Sequence, residues 1–141
     1  MAEQDFNSQV IAEFRANDGR VKGMFENMSL LLLHHTGARS GEERIAPLVY
    51  AQDGGRYVIF ASKAGAPSNP GWYHNLAAHP QTTIEVGTDT LQVTAEEVSG
   101  EERQRLFDAQ AQRAPGFAEY QEKAGDRVIP VIALIATGNA A

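Results

Sequence analysis

The stretch that decides the fold runs from residue 28 to residue 63 and reads MSLLLLHHTGARSGEERIAPLVYAQDGGRYVIFASK. Its first part, Met28–Thr36, is a continuous apolar run, which predicts a strand buried on both faces. After a short turn, Arg44–Gln52 predicts the partner strand. Asp53-Gly54-Gly55 is a hairpin signal, and Arg56–Lys63 predicts a third strand with alternate side chains on opposite faces.

Three more strands are predicted outside this stretch. Gln81–Val86 and Thr90–Val98 alternate between polar and apolar residues, with a turn between them. Val128–Ala136 is an apolar final strand, in which Pro130 predicts an edge position or a bulge. Six mainly antiparallel strands with one inserted helix favour an α+β domain, a small six-stranded β-barrel with helices at both ends.

The helices are predicted around these strands. Residues 3–17 place Phe6, Val10, Ile11 and Phe14 on one helical face. A short helix is predicted over residues 69–79, with Asn69 as N-cap and Pro70 as the first helical residue. A capping box at residues 99–102 predicts a helix to about residue 113, and another short helix is predicted over residues 115–123.

Composition limits the classes of protein that fit. The chain has 141 residues, a net charge of −6 and no cysteine. It is predicted to form one domain over residues 1–141, with residues 1–27 as a helical extension. Disulfides and thiol chemistry are excluded, and the acidic balance argues against nucleic-acid binding. Without a secretory signal or a long apolar run, the expected location is the cytoplasm.

Two properties stay open at this point. The first helix is expected to pack on the core, with a lid or a peripheral membrane contact as the alternatives. The oligomeric state is not predicted.

Charge is unevenly distributed along the chain. Residues 34–79 carry four bases and three acids, a net +1, whereas residues 80–141 carry five bases and ten acids, a net −5. A neutral-to-basic centre in an acidic protein suits a small anionic ligand, although chance clustering would look the same.

The four histidines all lie in this centre. His34 and His35 are neighbours on a predicted strand and point to opposite faces. His74 and His79 are poorly spaced for one helix face. Structural or hydrogen-bonding roles are therefore favoured over metal ligation, and no metal site is predicted.

The turn at residues 36–44 is a candidate anion site. It offers glycines, backbone N–H groups, the Ser40 hydroxyl and the guanidinium groups of Arg39 and Arg44. The alternative is a hairpin turn with solvated arginines.

Residues 61–76 are a second candidate. They end a strand at Lys63, pass through small residues and begin a helix whose first turn carries Trp72 and Tyr73 for stacking on a flat ring. A core position for Trp72 is the alternative. If the flanking strands pair, both candidates meet at one end of the barrel, which suits a phosphorylated, flavin-like cofactor.

Four motifs in order resemble the deazaflavin-dependent nitroreductases, which are split β-barrel proteins that use coenzyme F420. The motifs are TGARSGEERIAPL at 36–48, DGGRYVIFASKAG at 53–65, NPGWYHNL at 69–76 and DRVIPV at 126–131. The resemblance spans about residues 28–136. It implies an F420-dependent reductase of the nitroreductase or quinone reductase type.

The resemblance also implies which residues bind the cofactor. Ala38, Arg39, Ser40 and Arg44 would hold its phosphate and glutamate tail, with Lys63 as a further cation. The ring system would lie along Ile45, Ala46, Pro47, Leu48 and Val49, and the groove would continue over Phe60, Ala61 and Ser62. Gly71, Trp72, Tyr73, His74 and Asn75 would close the site.

By the same resemblance, the C-terminal helical segment faces the substrate. Phe117 and Tyr120 would line that pocket, with Tyr120 as the candidate proton donor. Phe117 stands where a hydroxyl is expected, which disfavours nitroimidazoles. The predicted reaction is hydride transfer from the reduced deazaflavin to a quinone, enone or nitro-aromatic acceptor. The alternatives are a non-catalytic carrier of the deazaflavin or a lipid-like ligand, and an FMN- or heme-binding barrel.

Overall fold

A computed structural model describes residues 2–17, 19, 29–62, 69–114, 116–125 and 128–139. The elements in chain order are α1 Ala2–Ala16, β1 Leu30–Thr36, β2 Glu43–Asp53, β3 Arg56–Phe60, α2 Gly71–Ala78, β4 Gln81–Val86, β5 Asp89–Val98, α3 Gly100–Arg113, α4 Gly116–Ala124 and β6 Val131–Asn139. Each predicted strand and helix is present, with ends that differ by a few residues.

The strands form a closed antiparallel barrel in the order β1-β2-β3-β6-β5-β4. The predicted three-strand unit is therefore intact, β6 joins it to the β4–β5 hairpin by pairing with both β3 and β5, and the pairing of β1 with β4 closes the barrel. This confirms the predicted six-stranded barrel.

Pro130 has neither of its predicted roles. It precedes β6, and its carbonyl accepts a hydrogen bond of 2.9 Å from the Ala61 N–H. The register shift in β6 pairing lies at the other end of that strand, opposite Gln92 and Val93. A proline just before a strand donates nothing to the ladder and so disturbs none of it.

Strand β1 is buried on both faces, as predicted. Leu31 and Leu33 are fully buried in the barrel interior. Leu32 faces outward and packs with Val10 and Phe14 of α1. The side chain of Phe6 lies outside the described residues. The apolar face that suggested a membrane contact is thus covered by the barrel at Val10 and Phe14, so α1 packs on the core.

The described helices include none that is long and apolar enough to cross a membrane. Helices α3 and α4 instead cover the outer face of β3 and β6, where Leu106, Phe107 and Phe117 pack on Phe60 and Val131.

The start of α2 differs from the prediction. The helix begins at Gly71, and its N-cap is Pro70 rather than Asn69. Ser99 is the N-cap of α3, as predicted, but its side chain makes no capping hydrogen bond. The sequence therefore predicts where these helices begin to within one residue, but it does not predict the hydrogen bonds of their caps.

Asp53 links the β2–β3 hairpin to α3. Arg105 donates to both of its carboxylate oxygens, at 3.2 and 3.3 Å, and Arg56 donates to Oδ2. The hydrogen bonds from Arg105 and then Arg56 lower the pKa of Asp53 to about 2. Because the carboxylate form is favoured in the folded state, this contribution to stability is present above the unfolded pKa and is lost as the pH falls toward 2.

We expect Asp53→Asn to remove this acid-dependent contribution. The free energy of unfolding of the variant should fall less steeply than that of the wild type between about pH 4 and pH 2, since the amide has no charge to lose. Urea unfolding at several pH values measures the difference. Asp89→Asn, at an exposed position on β5, is the control. Equal slopes for the wild type and Asp53→Asn would contradict the assigned role.

Candidate functional site

The turn after β1 is closed by its own backbone. The Gly37 N–H donates to Glu42 O at 2.8 Å, and the Gly41 N–H donates to Gly37 O at 3.0 Å. The Glu42 N–H donates to Ser40 Oγ at 3.2 Å. These three N–H groups are therefore used within the turn and are not available to an anion.

Asn75 of α2 connects the turn to the helix. Its Oδ1 accepts a hydrogen bond of 3.0 Å from the Ala38 N–H, and its Nδ2 lies 2.9 Å from Nδ1 of His35. The two candidate segments of the sequence therefore meet at one end of the barrel, as predicted.

Two of the three predicted cations are exposed at this end. Arg39 lies on the turn, and Arg44 lies on β2 opposite His35. The Arg44 side chain is 57% exposed and lies 3.9 Å from Glu42, an exposed contact that contributes little in water. Both guanidinium groups are thus accessible to an anion. Lys63 lies outside the described residues.

Trp72 is not the open stacking surface that was predicted. It is only 9% exposed and packs with Leu76 and Ile132 in the interior cluster. The tryptophan closes the barrel interior from α2, which is the structural alternative considered above.

Tyr73 is the half-buried aromatic residue of α2. Its hydroxyl donates to Glu97 Oε1 at 2.6 Å, and this hydrogen bond, together with burial, raises the pKa of Tyr73 to about 12. The ring meets His74 edge-on, with centroids 5.4 Å apart. Gly71 and His74 are exposed, so these two α2 residues remain accessible from outside the barrel.

Within the described residues, the first half of β2 is paired with another strand along only one of its two edges. Residues 43–49 pair with β1, whereas β3 pairs only with Tyr50–Asp53. Beyond Phe60 the chain follows β6, since the Ala61 N–H bonds to Pro130. Within the described residues, the second edge of residues 43–49 therefore has no paired strand. Pro47 lies on this segment, where a missing N–H costs least.

The run predicted to face the ring system does not present one face. Ile45 and Val49 pack toward the α1 cluster, and Leu48 packs toward the barrel interior. Every residue from Ile45 to Val49 is half-buried. A flat ligand would therefore meet the open edge of this strand rather than a continuous row of side chains.

The neighbouring segment contributes less side-chain surface than predicted. Phe60 and Ala61 are buried, with 6% and 0% exposure, and only Ser62 of this trio is half-buried. Phe60 packs outward under α3 and α4, whereas Ala61 belongs to the interior cluster.

A cavity of about 470 Å³ lies between β2 and the end of α3. This volume falls within the usual range for small-molecule sites. The lining residues are Ser29, Val49, Tyr50, Ala51, Gln52, Gln110, Arg113 and Ala114. The cavity thus begins at Val49, where the open edge of β2 ends.

The predicted substrate residues lie outside the lining of this cavity. Phe117 is 8% exposed and packs edge-on against Phe60, with ring centroids 5.5 Å apart. Tyr120 is half-buried and packs on Phe117. Phe117 is therefore a core residue, which corrects its assignment to a substrate pocket.

Five polar residues of the cavity were not predicted from the sequence: Ser29, Tyr50, Gln52, Gln110 and Arg113. Gln110 is only 4% exposed, and its Oε1 accepts a hydrogen bond of 3.3 Å from Arg113 Nη2. A signal was present, because Gln110 continues the apolar face formed by Leu106 and Phe107 at helical spacing. A glutamine on such a face marks a buried polar group that needs a partner.

His34 and His35 make side-chain hydrogen bonds on opposite faces of β1, in agreement with the faces predicted for them. His34 lies 3.2 Å from Glu43 and 2.7 Å from Glu85, which in turn pairs with Arg15 of α1. His35 faces inward and is 7% exposed. In the described part of the chain, no group of three or more acidic or histidine side chains could hold a metal ion.

The chain therefore combines a six-stranded split barrel, exposed cations at the turn after β1, a strand edge that is unpaired within the described residues, and an adjoining cavity. The chain belongs to the F420H(2)-dependent quinone reductase family, whose model matches residues 7–136. This confirms the F420-dependent class and the split barrel that the resemblance implied, with F420 as cofactor. The family description names quinone reduction and does not name nitro compounds.

Known relatives agree with this membership. An F420H(2)-dependent quinone reductase of Mycobacterium tuberculosis is 39% identical over 127 residues, which are 87% of this chain and 85% of the relative. The structure of an F420-H2-dependent reductase is similar at a TM-score of 0.68 and 39% identity, over 75% of this chain and 93% of that one. A domain-swapped dimer has a TM-score of 0.70 and 34% identity, over 94% and 98% of the two chains.

The residues present fit the cofactor that the family implies. F420 combines an anionic tail with a flat ring system, and the barrel offers exposed Arg39 and Arg44 beside the open edge of β2. Arginine forms charge-assisted, bidentate hydrogen bonds with phosphate and carboxylate groups.

Proposed function

We propose that this protein reduces quinones with F420H2 along the open edge of β2. The observation that carries the proposal is a linear order: exposed cations, open strand edge, cavity. Arg44 begins the edge, and Val49 ends it at the cavity. Five residue steps of a strand span about 16 Å, which gives a long cofactor room to lie between them.

The cationic end is assigned to the anionic tail of the cofactor. Arg39 and Arg44 are exposed and close to the same turn, and Asn75 holds that turn against α2. Ala38 and Ser40 shape the turn through their own hydrogen bonds, and Gly71 and His74 line the approach from α2. Lys63 remains part of the proposed site from the sequence alone.

The cavity is assigned to the electron acceptor. The chemistry supplied by the bound cofactor is hydride transfer, and a quinone that takes up a hydride and a proton becomes a hydroquinone. An acceptor must lie against the cofactor ring for this transfer. The cavity shares Val49 with the edge assigned to the ring, so it meets this condition.

Polar groups in the cavity can hold a quinone oxygen. Tyr50 lines the cavity, while its ring packs with Tyr57 against the interior cluster. Burial, and to a lesser extent Tyr57, raises the pKa of Tyr50, which keeps its hydroxyl protonated as a donor. Arg113 and the buried Gln110 contribute further donors at the end of α3. Donors placed where negative charge develops on the acceptor oxygen stabilise the transition state. This assigns to Tyr50 the proton-donating role that the sequence analysis gave to Tyr120.

Two measurements test the proposed function. Calorimetric titration with F420, FMN and heme should show tight binding of F420 alone. Reduced F420 mixed with menadione should then be reoxidised at a protein-dependent rate. Enone and nitro-aromatic acceptors share an electron-poor centre with quinones and serve as comparison substrates. Binding without turnover of any acceptor would favour a carrier, and tighter binding of FMN or heme would overturn the assignment of the cofactor.

We expect Tyr50→Phe to lower kcat for menadione about tenfold, because one hydrogen bond to the reacting oxygen is lost. The dissociation constant of F420 should stay unchanged. Tyr57→Phe is the matched control, since its ring touches that of Tyr50 with centroids 5.6 Å apart but lies outside the lining of the cavity. An equal loss of kcat in both variants would remove Tyr50 from the proposed site.

A further inference from the structure

His35 and Asn75 form a hydrogen-bonded pair at the base of the cationic turn. The Asn75 Oδ1 accepts from the Ala38 N–H at 3.0 Å, and a backbone N–H can only donate. This bond settles which end of the amide faces the turn. The Nδ2 group, 2.9 Å from His35 Nδ1, must therefore donate to it. Nδ1 can accept only if it carries no proton, so the pair requires neutral His35 protonated at Nε2.

Protonation of His35 cannot be accommodated by this pair. The imidazolium would place an N–H at Nδ1 against the Asn75 NH₂ group, so that two donors would face each other. Flipping the amide would restore a bond to His35 but would turn the NH₂ group toward the Ala38 N–H, which is also a donor. Either arrangement loses one hydrogen bond, and the flipped arrangement is favoured because it gains a charge-assisted bond from the imidazolium to Asn75 Oδ1.

The surroundings of His35 favour its neutral form. Burial lowers its pKa most, followed by the charge of Arg44 across the β1–β2 ladder and by His34 beside it on β1. Helix α2 presents the neutral Asn75. From β4, Thr82 donates its hydroxyl to the His34 carbonyl. Arg44 and His34 are thus the charged groups that lower the pKa of His35, whereas the nearby carboxylates of Glu43 and Glu85 pair with His34.

We propose that His35 and Asn75 are positioning residues that hold the cationic turn, and with it Arg39, in the arrangement that binds the cofactor tail. Protonation of His35 releases the Ala38 anchor and weakens cofactor binding. Neither side chain needs to touch the reacting atoms. The link to cofactor binding rests on the proposed function, whereas the anchoring of the turn is a property of the protein without ligand.

The first test follows the anchor itself in the protein without cofactor. The protection factor of the Ala38 amide, measured by NMR and corrected for the intrinsic slowing of exchange in acid, should be higher at about pH 8 and should fall when His35 is protonated. Ring nitrogen shifts of His35 report its tautomer and its charge in the same samples. Calorimetry should show F420 binding weakened by about tenfold in the acidic sample, the value of one hydrogen bond.

Two variants separate this pair from a general effect of acid. His35→Gln can still accept from Asn75 but cannot titrate in this range, so it should retain affinity and give a flat pH profile. In Asn75→Asp, protection of the Ala38 amide should rise rather than fall when His35 is protonated. The carboxylate can accept hydrogen bonds from both the Ala38 N–H and the imidazolium. His79→Gln, an exposed histidine at the end of α2, is the control and should behave like the wild type.

The outcomes distinguish this proposal from the proposed function. The role of His35 and Asn75 would be contradicted if protection of the Ala38 amide did not depend on the charge of His35. It would also be contradicted if the F420 affinity of His35→Gln had the same pH dependence as that of the wild type. Neither result would contradict the proposed reductase function. If protection of the Ala38 amide is lost but the affinity for F420 is unchanged, the proposed effect on cofactor binding is wrong. The assignment of the cofactor tail to this turn would then be wrong as well. Absence of F420 binding at every pH would contradict the proposed function, and the exchange data would then test the anchor alone.

Discussion

Replacing Arg39 and Arg44 together with alanine should weaken F420 binding by about 100-fold. Both side chains are exposed at the end of the barrel where the turn meets α2. A charge-assisted hydrogen bond contributes about 1.5 kcal/mol or more, so the loss of two contributes about 3 kcal/mol, and 1.4 kcal/mol is tenfold in affinity. Because solvent screens these contacts, affinity for the wild type should fall as salt is added.

The cofactor's own structure provides the sharpest control for this prediction. A deazaflavin ribityl compound that lacks the phosphate and glutamates should bind the wild type and the double variant equally. Lys123→Ala removes a cation from α4, far along the chain from the turn, and should leave F420 affinity unchanged. Equal weakening for the full and the tail-less ligand would show that the two arginines support the fold rather than the tail.

The six strands and their hairpins could be predicted because they depend on local patterns. The continuous run Leu30–Leu33 needs cover on both faces, and α1 on one side with the barrel interior on the other supplies it. Hairpin signals and alternation set β2, β3, β4 and β5 in antiparallel order. The closed barrel also requires β6 to join β3 to β5 and β1 to pair with β4, which no local pattern specifies.

The site could be predicted only as a neighbourhood. Trp72 and Phe117 have the residue types of ligand-contacting aromatics, yet both are buried. Their burial was not predicted because the sequence does not say which face of a short helix packs on the barrel. The turn has the glycines of an anion site, yet the N–H groups of Gly37, Gly41 and Glu42 bond within the turn. The hydrogen bond from the Ala38 N–H to Asn75 joins residues 37 positions apart, and no local sequence pattern predicts it.

The cavity was missed for a related reason. It forms where the end of α3 crosses β2, more than fifty residues apart in sequence. Such packing is decided by tertiary structure. The one sequence signal for the cavity was Gln110, a polar residue on the apolar face of α3. The sequence therefore identified the cofactor class and the cationic end, whereas the proposed acceptor end required the folded chain.

Filling the cavity should separate acceptor binding from cofactor binding. Gln52 lies on β2, is exposed and lines the cavity, so Gln52→Trp places a bulky ring at its mouth without entering the core. Tryptophan is well tolerated in strands. We expect kcat/KM for menadione to fall roughly 100-fold, because displacement of a reactant by even 1 Å has an effect of this size. The dissociation constant of F420 should change little.

A second exposed strand glutamine provides the matched control. Gln81 begins β4 and lies outside the lining of this cavity, so Gln81→Trp adds the same ring at a position where kcat/KM should be unaffected. Thermal unfolding of both variants checks that the barrel is intact. A loss confined to kcat/KM in Gln52→Trp would support the acceptor assignment, because the variant then loses transition-state stabilisation without losing cofactor. Full turnover in Gln52→Trp would place the quinone elsewhere on the barrel, and the linear order of cations, strand edge and cavity would no longer describe the reaction path.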